Sequence, residues 1–435
     1  MAPSLGGTHR LPTSIGRPYG LLLQQPDDNL KGLVTVDVPL IALGRPSHTG
    51  HALVVAGALA ATLAAGLAAV LPAPVAAAST PPAGSLAAVS CAGTTFCVAV
   101  GSSSTATGPR VALVEKWDGH KWTKMTLTAP AGSSGSALFG VSCPSTTTCT
   151  AVGEMATGHT SSAALVERWD GSGWQRQSVP KEAGATSVVL FSVSCVTSSS
   201  CASVGDYYTT SGYSALAATY HGGDWQLVTV PVPARGTPSA LDGVSCRPTS
   251  CTVVGYYFNR RVSNYSLPLA ERLTAANAVA EDVPQPAGVT KGGQLQAVSC
   301  PAASACEAVG IGSTGSGSAA LAYRWSAGGW SDQTLPKTPA SLDGVSCPTL
   351  AVCVATGQTE TTPSSTLAYR WAGSKWEAQP TTNPPSPTDR VLAALSCPST
   401  SDCVAVGSYF AGSSQHSWSE LWDGTKWETE ATAAG

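Results

Sequence analysis

Short apolar stretches bounded by turn-forming residues recur along the chain from residue 86 to the C-terminus. The most regular stretch reads Leu-x-x-Val-Ser-Cys, with Leu in place of Val in the last copy. A turn, a second cysteine and another apolar run follow each copy. This pattern predicts short β-strands joined as hairpins. The stretch occurs seven times and begins at Leu86, Leu138, Leu190, Leu241, Leu295, Leu342 and Leu392.

Each repeat contains four strand-like segments, which we call a to d in chain order. In the second repeat they are LFGVSC, CTAVG, AALVERW and WQRQSVP. The first cysteines of successive repeats lie 47 to 54 residues apart, which leaves room for four strands and their turns. The sequence therefore predicts an all-β fold, a seven-bladed β-propeller with four antiparallel strands per blade. The predicted blades are 86–137, 138–189, 190–240, 241–294, 295–341, 342–391 and 392–435.

The turn between segments c and d carries a second pattern, Trp-Asp-Gly followed by another Trp. Asp-Gly favours a tight hairpin turn because Gly accepts a positive φ. Repeats five and six keep both Trp residues without the Asp, and repeat four has Leu273 and Ala278 in their places. Since the first repeat opens with segment a and the last closes with segment d, each blade is expected to form from one continuous piece of chain. The complete pattern occurs at 117–122, 169–174 and 422–427.

This turn resembles the Asp-box of sialidase-like secreted propellers, in which an Asp–Gly turn leads to a Trp that opens strand d. The spacing from Gly119 to Trp122 matches the family pattern. The chain departs from it because Asp118 and Gly119 are adjacent and Trp117 stands where the family has Ser or Thr. The resemblance covers residues 86–435 and concerns architecture. It implies a secreted bacterial propeller and, as one alternative, a glycoside hydrolase or lyase.

The cysteines form one close pair in each repeat, with four or five residues between the two members. A zinc cluster is the competing interpretation, but zinc needs four ligands and no further Cys or His recurs in each unit. The pairs are therefore predicted to be disulfides, which form and persist in oxidising compartments. The predicted pairs are Cys91/Cys97, Cys143/Cys149, Cys195/Cys201, Cys246/Cys251, Cys300/Cys306, Cys347/Cys353 and Cys397/Cys403.

The N-terminal region differs from the repeats. Residues 1–50 show no clear period and are predicted to be a disordered extension, or to lie upstream of the true start. Residues 52–71 are apolar and uncharged, and Ala76 and Ala78 supply the small residues of a signal-peptidase site. We therefore predict a signal peptide at 51–78 and a propeller at 79–435, with a retained membrane anchor as the alternative. The propeller is expected to be secreted, or anchored at the cell surface if the segment is uncleaved.

Composition limits the possible functions. Charged residues make up 11% of the chain, the net charge is −3 and no basic block occurs, so nucleic acid is not an expected partner. No nucleophile motif of the form Gly-x-Ser-x-Gly is present. We therefore predict no catalytic residue, no metal ligand and no cofactor, and we expect a monomer. The sequence argues against an enzyme without deciding the question.

The loops between segments b and c differ from repeat to repeat and are the expected place for specificity. Repeats three and four carry DYYTTSGY and YYFNRRVSNY, where most other loops are rich in Ser, Thr and Gly. Tyr and Arg are common anchors of recognition surfaces, and flat aromatic rings suit sugars. The alternative is that these aromatic residues only cap the blade core. The candidate ligand-binding residues are Tyr207, Tyr208, Tyr256, Tyr257, Phe258, Arg260 and Arg261.

Three functions are compatible with these patterns. The first is an extracellular binding or scaffolding module whose partner is a glycan or a surface protein. The second is a sialidase-like glycoside hydrolase or lyase, and the third is a structural protein of the cell envelope. Two or more carboxylates with arginines around the central channel would favour the enzyme. A surface of Ser, Thr, Gly and aromatic residues would favour binding.

Overall fold

A computed structural model describes residues 83–434, apart from short gaps at 105–107, 159, 233–237, 260–264, 275–276, 287, 327, 337–339 and 385–388. The predicted extension (1–50) and signal segment (51–78) lie outside the described residues. The described part contains 28 strands in seven antiparallel sheets of four strands each. This confirms the predicted all-β seven-bladed propeller. No helix among the described residues is long and apolar enough to cross a membrane.

The strands follow one another in the same order in every blade. In blades 1 to 3 they are β1 Ala83–Gly93, β2 Phe96–Ser104, β3 Val111–Trp117, β4 Trp122–Lys124; β5 Gly135–Ser145, β6 Thr148–Ala156, β7 Ser162–Trp169, β8 Trp174–Gln177; β9 Ser187–Thr197, β10 Ser200–Thr209, β11 Gly212–His221, β12 Asp224–Val228. In blades 4 and 5 they are β13 Ser239–Arg247, β14 Ser250–Phe258, β15 Ser266–Leu273, β16 Ala278–Glu281; β17 Gly293–Ala302, β18 Ala305–Ser313, β19 Ser318–Ser326, β20 Gly329–Asp332. In blades 6 and 7 they are β21 Ala340–Thr349, β22 Val352–Thr359, β23 Thr366–Ala372, β24 Trp376–Gln379; β25 Arg390–Ser396, β26 Cys403–Ala411, β27 Ser414–Trp422, β28 Trp427–Glu430.

Every blade is built from one continuous segment, as the sequence predicted, because each sheet pairs its four strands in chain order. The first strands of successive blades contact one another from β1 to β25, and β25 contacts β1. These seven strands therefore form the innermost layer around a central channel. Among the described strands, none is exchanged between the first and last blades, so side-chain contacts must close the ring.

The serine of the repeated Leu-x-x-Val-Ser-Cys stretch links each blade to the next. Ser90 Oγ accepts a hydrogen bond from the Cys143 N–H at 2.9 Å, and Ser396 accepts one from the Cys91 N–H at 3.0 Å. The latter contact joins the last blade to the first. Because the same bond recurs at every blade boundary, the serine is a structural residue. The other five bonds join Ser142 to Cys195, Ser194 to Cys246, Ser245 to Cys300, Ser299 to Cys347 and Ser346 to Cys397.

A β-bulge follows the leucine of each repeated stretch. In blade 2 the pairing of β5 with β6 skips Phe139, so that Leu138 pairs with Gly153 and Gly140 with Val152. The bulge brings the inner backbone so close to strand b that a Cβ atom on Gly153 would lie 2.0 Å from the Ala137 carbonyl oxygen. Glycine is therefore required there. The remaining bulges occur at the equivalent residue of the other six blades.

The seven predicted disulfides are all present, and each closes the hairpin between strands a and b of one blade. Their Cα–Cα distances lie between 3.9 and 4.1 Å, and no cysteine of the described residues is free. Loops this short limit the gain from each bridge to roughly 2 kcal/mol in the chain-entropy model. The bridges therefore fix single hairpins, whereas contacts between blades hold the ring. The confirmed pairs are Cys91–Cys97, Cys143–Cys149, Cys195–Cys201, Cys246–Cys251, Cys300–Cys306, Cys347–Cys353 and Cys397–Cys403.

The second cysteine of each pair has a further role that its spacing did not predict. The spacing identified the cysteines only as the ends of a hairpin bridge. In six blades the second cysteine is also buried in the apolar core, and in blade 4 Cys251 is half-buried. These sulfur atoms are therefore structural, and they are not residues of a ligand site. The six core cysteines are Cys97 and Cys149 (each 0% exposed), Cys201, Cys306, Cys353 and Cys403.

Aromatic and basic residues of strands c and d fill the outer part of each boundary between blades. The two Trp residues at the c–d turn pack against each other, for example Trp169 and Trp174 with ring centroids 5.8 Å apart. The Arg168 guanidinium of blade 2 lies over the Tyr220 ring of blade 3 at 4.5 Å, and Arg324 lies over Trp371 at the same distance. The recurring strand-c arginines are therefore part of the packing between blades.

The boundary between blades 7 and 1 is completed by the C-terminal residues. Ala434 is 2% exposed and belongs to an apolar cluster with Leu86 and Leu113 of blade 1. The Ala433 N–H donates to Glu115 Oε2 at 3.0 Å, and Trp122 Nε1 donates to Ser419 Oγ at 3.1 Å. These contacts close the ring without a strand exchanged between the first and last blades.

Candidate functional site

The connections between strands are more alike on one face of the propeller than on the other. The a–b hairpins with their disulfides and the c–d turns lie on one face, and the b–c and d–a connections lie on the other. In the c–d turn of blade 2, Asp170 Oδ1 accepts hydrogen bonds from the N–H groups of Ser172 (2.8 Å) and Gly173 (2.9 Å). The Ser172 hydroxyl and these N–H groups lower the pKa of Asp170 to about 2. This carboxylate therefore stabilises a turn.

The disulfide face offers little room for a ligand between blades 5 and 6. The hollow beside Cys306 and Cys353 has a volume of about 10 Å³, which is no more than one water molecule occupies by this measure. The carboxylate of Glu307 at its wall is already paired with the Arg324 guanidinium at 2.9 Å. This hollow is therefore a gap in the packing and is not a candidate site.

The predicted aromatic residues of blade 3 point in two directions. Tyr207 packs against the apolar cluster between blades 2 and 3, which contains Leu190 and Trp225. Tyr208, on the opposite side of the strand, is half-buried, and its ring centroid lies 5.6 Å from that of Tyr213 across the hairpin. Only the pair of Tyr208 and Tyr213 is therefore presented at the b–c hairpin.

The same division occurs in blade 4. Tyr257 packs against the cluster between blades 3 and 4, and burial together with the negative charge of Asp282 raises its pKa. Tyr256 is 7% exposed and contacts Phe258 edge-on, with ring centroids 5.9 Å apart. Tyr265 precedes Ser266, which pairs with Phe258, and it is 43% exposed. The predicted Arg260 and Arg261 lie outside the described residues, so their role stays a prediction.

A second candidate site, which the sequence patterns did not predict, is the central channel. Its cavity has a volume of about 210 Å³ and is lined by the bulge region of all seven inner strands. The bulge residue itself changes from blade to blade, whereas the neighbouring Leu, Ser and Cys are constant. In order around the ring, the bulge residues are Ala87, Phe139, Phe191, Asp242, Gln296, Asp343 and Ala393.

The bulge residues divide the channel wall into three sectors. Phe139 and Phe191 form an aromatic sector, with ring centroids 6.0 Å apart. Blades 4 to 6 have Asp242, Gln296 and Asp343 at the bulge, and the bulge residues of blades 7 and 1 are alanine. The cavity therefore combines acidic, aromatic and open walls at one level of the ring.

Gln296 and Asp343 are joined by a hydrogen bond. With its amide oriented so that the nitrogen faces acceptors, Gln296 donates to Asp343 Oδ1 at 2.5 Å and to the Leu342 carbonyl at 2.8 Å. Asp343 Oδ2 is buried. Burial raises the pKa of Asp343 to about 7; the Ser341 hydroxyl acts to lower it, and the negative charge of Glu360 acts to raise it. The channel thus contains a carboxylate that ionises near neutral pH.

A signal for the channel residues was present in the sequence. Three successive repeats place Asp, Gln and Asp after the leucine of an otherwise apolar strand, and polar residues inside a propeller are costly unless they are partnered or used. Strict alternation assigns that position to the same side as the valine and the cysteine of the stretch. The bulge changes the direction of the side chain, so this position faces the channel.

Other buried carboxylates belong to the blade boundaries. Glu420 Oε2 accepts a hydrogen bond from the Thr382 N–H of blade 6 at 3.1 Å, and Glu115 accepts the equivalent bond from Ala433. The equivalent donor position before blade 4 is Pro231, which has no N–H. Neither carboxylate oxygen of Glu271, the corresponding acceptor in blade 4, has a partner among the described residues, and burial raises its pKa to about 8.

Replacing Glu271 with glutamine is expected to remove part of the pH dependence of stability. Because the folded pKa of Glu271 lies near 8 and the ordinary value is 4.5, folding takes up a proton between these pH values, and stability falls as the pH rises. E271Q should therefore raise the free energy of unfolding at pH 8 by about 2 kcal/mol, the scale of an unpartnered buried charge.

The measurement is urea unfolding followed by tryptophan fluorescence at both ends of that pH range. Glu428→Gln is the matched control, because Glu428 is exposed in strand d of blade 7 and the same charge is removed. An equal effect of the two substitutions at high pH would contradict the assignment of the pH dependence to Glu271.

Comparisons with known proteins support the fold. No protein-family model and no curated protein matches the chain. The β-propeller domain of the Trilobed protease from Pyrococcus furiosus, described as having an open velcro topology, is 9% identical, with a TM-score of 0.51 over 80% of this chain and 97% of that domain. This likeness concerns architecture alone, and the continuous blades found here agree with it.

Two further solved structures are similar at a lower level. The BP39L lectin from Burkholderia pseudomallei is 16% identical, with a TM-score of 0.49 over 80% of this chain and 99% of the lectin. YCF48 bound to a D1 peptide is 10% identical, with a TM-score of 0.45 over 75% of this chain and 90% of that protein. Function must therefore be argued from the surfaces of this chain.

Proposed function

We propose that the protein is an extracellular binding module that recognises glycans on the b–c face of blades 3 and 4. The observation that carries this proposal is the group of surface aromatic residues on these adjacent blades. Tyr208 and Tyr213 form a pair on blade 3, and Tyr265, 43% exposed, lies on the b–c loop of blade 4 beside the half-buried Phe258. Aromatic side chains offer large, rigid contact area with few rotamers to fix, and their flat faces suit sugar rings.

The extracellular location rests on the seven disulfides, since such bridges persist where the environment is oxidising. The opposite face varies less, because most of its hairpins and c–d turns repeat one pattern. The b–c face differs from blade to blade, which is what a ligand with one preferred orientation requires.

The hydrolase alternative receives no specific support from the described residues. It requires arginines beside two carboxylates at the channel, as in sialidase-like sites. The channel lining includes Asp242 and Asp343 but, among the described residues, no arginine. Arg110 lies on blade 1, where its Nε donates to Ser102 Oγ at 2.7 Å and its guanidinium lies 5.7 Å from the centre of the Phe139 ring.

The proposal is tested by screening the purified protein against immobilised glycans. Binding to at least one glycan is expected, and Tyr208→Ala and Tyr265→Ala should each weaken it about tenfold, because a stacked aromatic contact is lost. Leu350→Ala is the matched control, since Leu350 is 58% exposed but lies on the a–b hairpin of blade 6, on the opposite face. Failure to bind any glycan, or an equal loss in the control, would exclude a glycan site on this face.

A further inference from the structure

The boundary between blades 3 and 4 lacks the side-chain pair that fills equivalent boundaries. Elsewhere a strand-c arginine lies over an aromatic ring of the next blade, as the Arg272 guanidinium lies over the Trp325 ring at 4.8 Å. At the corresponding positions of strand c, blade 3 has Thr219 and blade 4 has Leu273. This is the one boundary at which the sequence has neither a basic nor an aromatic residue at the two positions.

A hollow of about 80 Å³ lies at this boundary on the disulfide face. Thr219 and Leu273 are part of its lining, and the exposed residues His221 and Thr249 lie at its surface end. The equivalent hollow between blades 5 and 6, where the arginine and the aromatic ring are present, measures about 10 Å³. One water molecule needs roughly 10–15 Å³ by this measure, so the hollow between blades 3 and 4 admits a small organic molecule.

The disulfide of blade 4 forms part of the wall of this hollow. Cys246 and Cys251 both line it, and Cys251 is the one second cysteine of a pair that is not buried in the core. Cys91 and Cys195 are also half-buried, but they are the first cysteines of their pairs and their partners are buried. Access is one of the factors that set the rate at which a thiolate attacks a disulfide. Cys251 Sγ is therefore the sulfur atom that an incoming thiol can reach through the hollow.

Blade 4 has other contacts that hold this hairpin when the bridge opens. Strands β13 and β14 pair from Ser239 to Arg247, and Arg247 pairs with Ser250 across a two-residue turn. The Cys246 N–H donates to Ser194 Oγ of blade 3 at 2.9 Å, a bond that does not involve sulfur. Because a bridge across so short a loop stabilises by roughly 2 kcal/mol at most, its opening is expected to leave the blade folded.

We propose that the Cys246–Cys251 bridge is a site of thiol–disulfide exchange with a small organic thiol. The thiolate of this molecule attacks Cys251 Sγ and forms a mixed disulfide. The bond between the two cysteines breaks, and its electron pair leaves on Cys246 Sγ. A second small thiolate attacks the bound thiol's own sulfur, which releases the Cys251 thiolate and a small disulfide. The site is separate from the proposed glycan surface, because it lies on the opposite face.

The test is timed exposure of the folded protein to 2-mercaptoethanol, stopped with N-ethylmaleimide and followed by mass-spectrometric mapping of all cysteines. Early samples are expected to carry mercaptoethanol on Cys251 and maleimide on Cys246. This bridge should react at least about tenfold faster than the other six, because its second cysteine is accessible. Equal or faster reaction at another bridge, such as Cys91–Cys97, overturns the proposal. Mercaptoethanol on Cys246 in place of Cys251, or no reaction at this bridge, overturns it as well.

Two further measurements show whether the thiol enters through the hollow. The rate should stay constant at urea concentrations below the unfolding transition, whereas a rate that rises with the unfolded fraction would mean that unfolding exposes the bridge. Thr219→Arg combined with Leu273→Trp restores the missing pair and should slow the reaction about tenfold by closing the hollow. Gln226→Arg is the matched control, because Gln226 is exposed on outer strand β12 and the same charge is added to blade 3. Equal rates in the double variant and this control would contradict entry through the hollow.

Discussion

Replacing Gly153 with alanine is expected to prevent stable folding, with a loss of about 3 kcal/mol or more in the free energy of unfolding. The added methyl group would lie 2.0 Å from the Ala137 carbonyl oxygen and 2.8 Å from the Leu138 Cα atom, both of which are backbone atoms. Backbone atoms cannot move away by a change of rotamer. Relief of the clash would therefore shift the inner strand of blade 2, which contacts the inner strands of blades 1 and 3.

The measurement is the yield of folded protein together with the urea midpoint of the fraction that folds. Gly315→Ala is the matched control, because nothing lies within 4 Å of a Cβ atom at this loop position. It should leave the midpoint unchanged. A midpoint for G153A that equals that of G315A would show that the inner strand can move to accept the methyl group.

Placing aspartate at position 434 is expected to open the ring at the boundary between blades 7 and 1, with a loss of about 3 kcal/mol in stability. Ala434 is 2% exposed and packs with Leu86 and Leu113, so the carboxylate would be buried in an apolar cluster without a partner. This boundary is the one that no continuous chain crosses, so the C-terminal residues have no covalent substitute there.

Amide hydrogen exchange measures the opening of this boundary directly. A434D should increase exchange in β1–β4 and β25–β28 more than in β13–β16, which lie across the ring. Ala431→Asp is the control, because Ala431 is exposed a few residues earlier. Equal exchange in the two variants would mean that the C-terminal residues do not hold the ring closed.

The blade architecture was predictable because its signals are local. The two cysteines of each disulfide are five or six residues apart, and the Asp-Gly turns join strands that are neighbours in sequence. Seven copies of such a unit can bury their apolar faces only by packing side by side, and copies of this length form propeller blades. The number of blades and the strand order therefore followed from the sequence.

The disulfide cysteines were predictable as pairs but not as core residues. The spacing alone predicted the bridges Cys91–Cys97 and Cys143–Cys149, and both are present. The burial of Cys97 beside residues of blade 7, such as Val404 and Val406, depends on how two blades pack. A pattern within one repeat does not contain that relation, so the structure alone revealed it.

The role of the repeated serine was only partly predictable. Its repetition identified it correctly as a strand residue, and the absence of a nucleophile motif argued against catalysis. Its partner, however, is the cysteine N–H of the next blade, about one repeat away, as with Ser142 and Cys195. A pattern within one repeat cannot predict a hydrogen bond to a residue in the next repeat. Only the structure revealed this contact.

The candidate sites were also predicted only in part from the sequence. The sequence located the aromatic residues of blades 3 and 4, and the structure separated those that pack between blades, Tyr207 and Tyr257, from the surface pair of Tyr208 and Tyr213. Whether these surface residues bind a ligand stays a prediction. Alternation along a strand gives two sides, but which side meets a neighbouring blade depends on how the blades pack.

The sequence by itself therefore determined the all-β class, the seven blades, the disulfide pairs and the face on which the loops vary, because each of these depends on interactions within one repeat. The tertiary structure decided how the ring closes and which side chains line the central channel. Ring closure depends on contacts between the first and last blades. The channel depends on seven bulges converging on one axis, and neither relation exists within a single repeat.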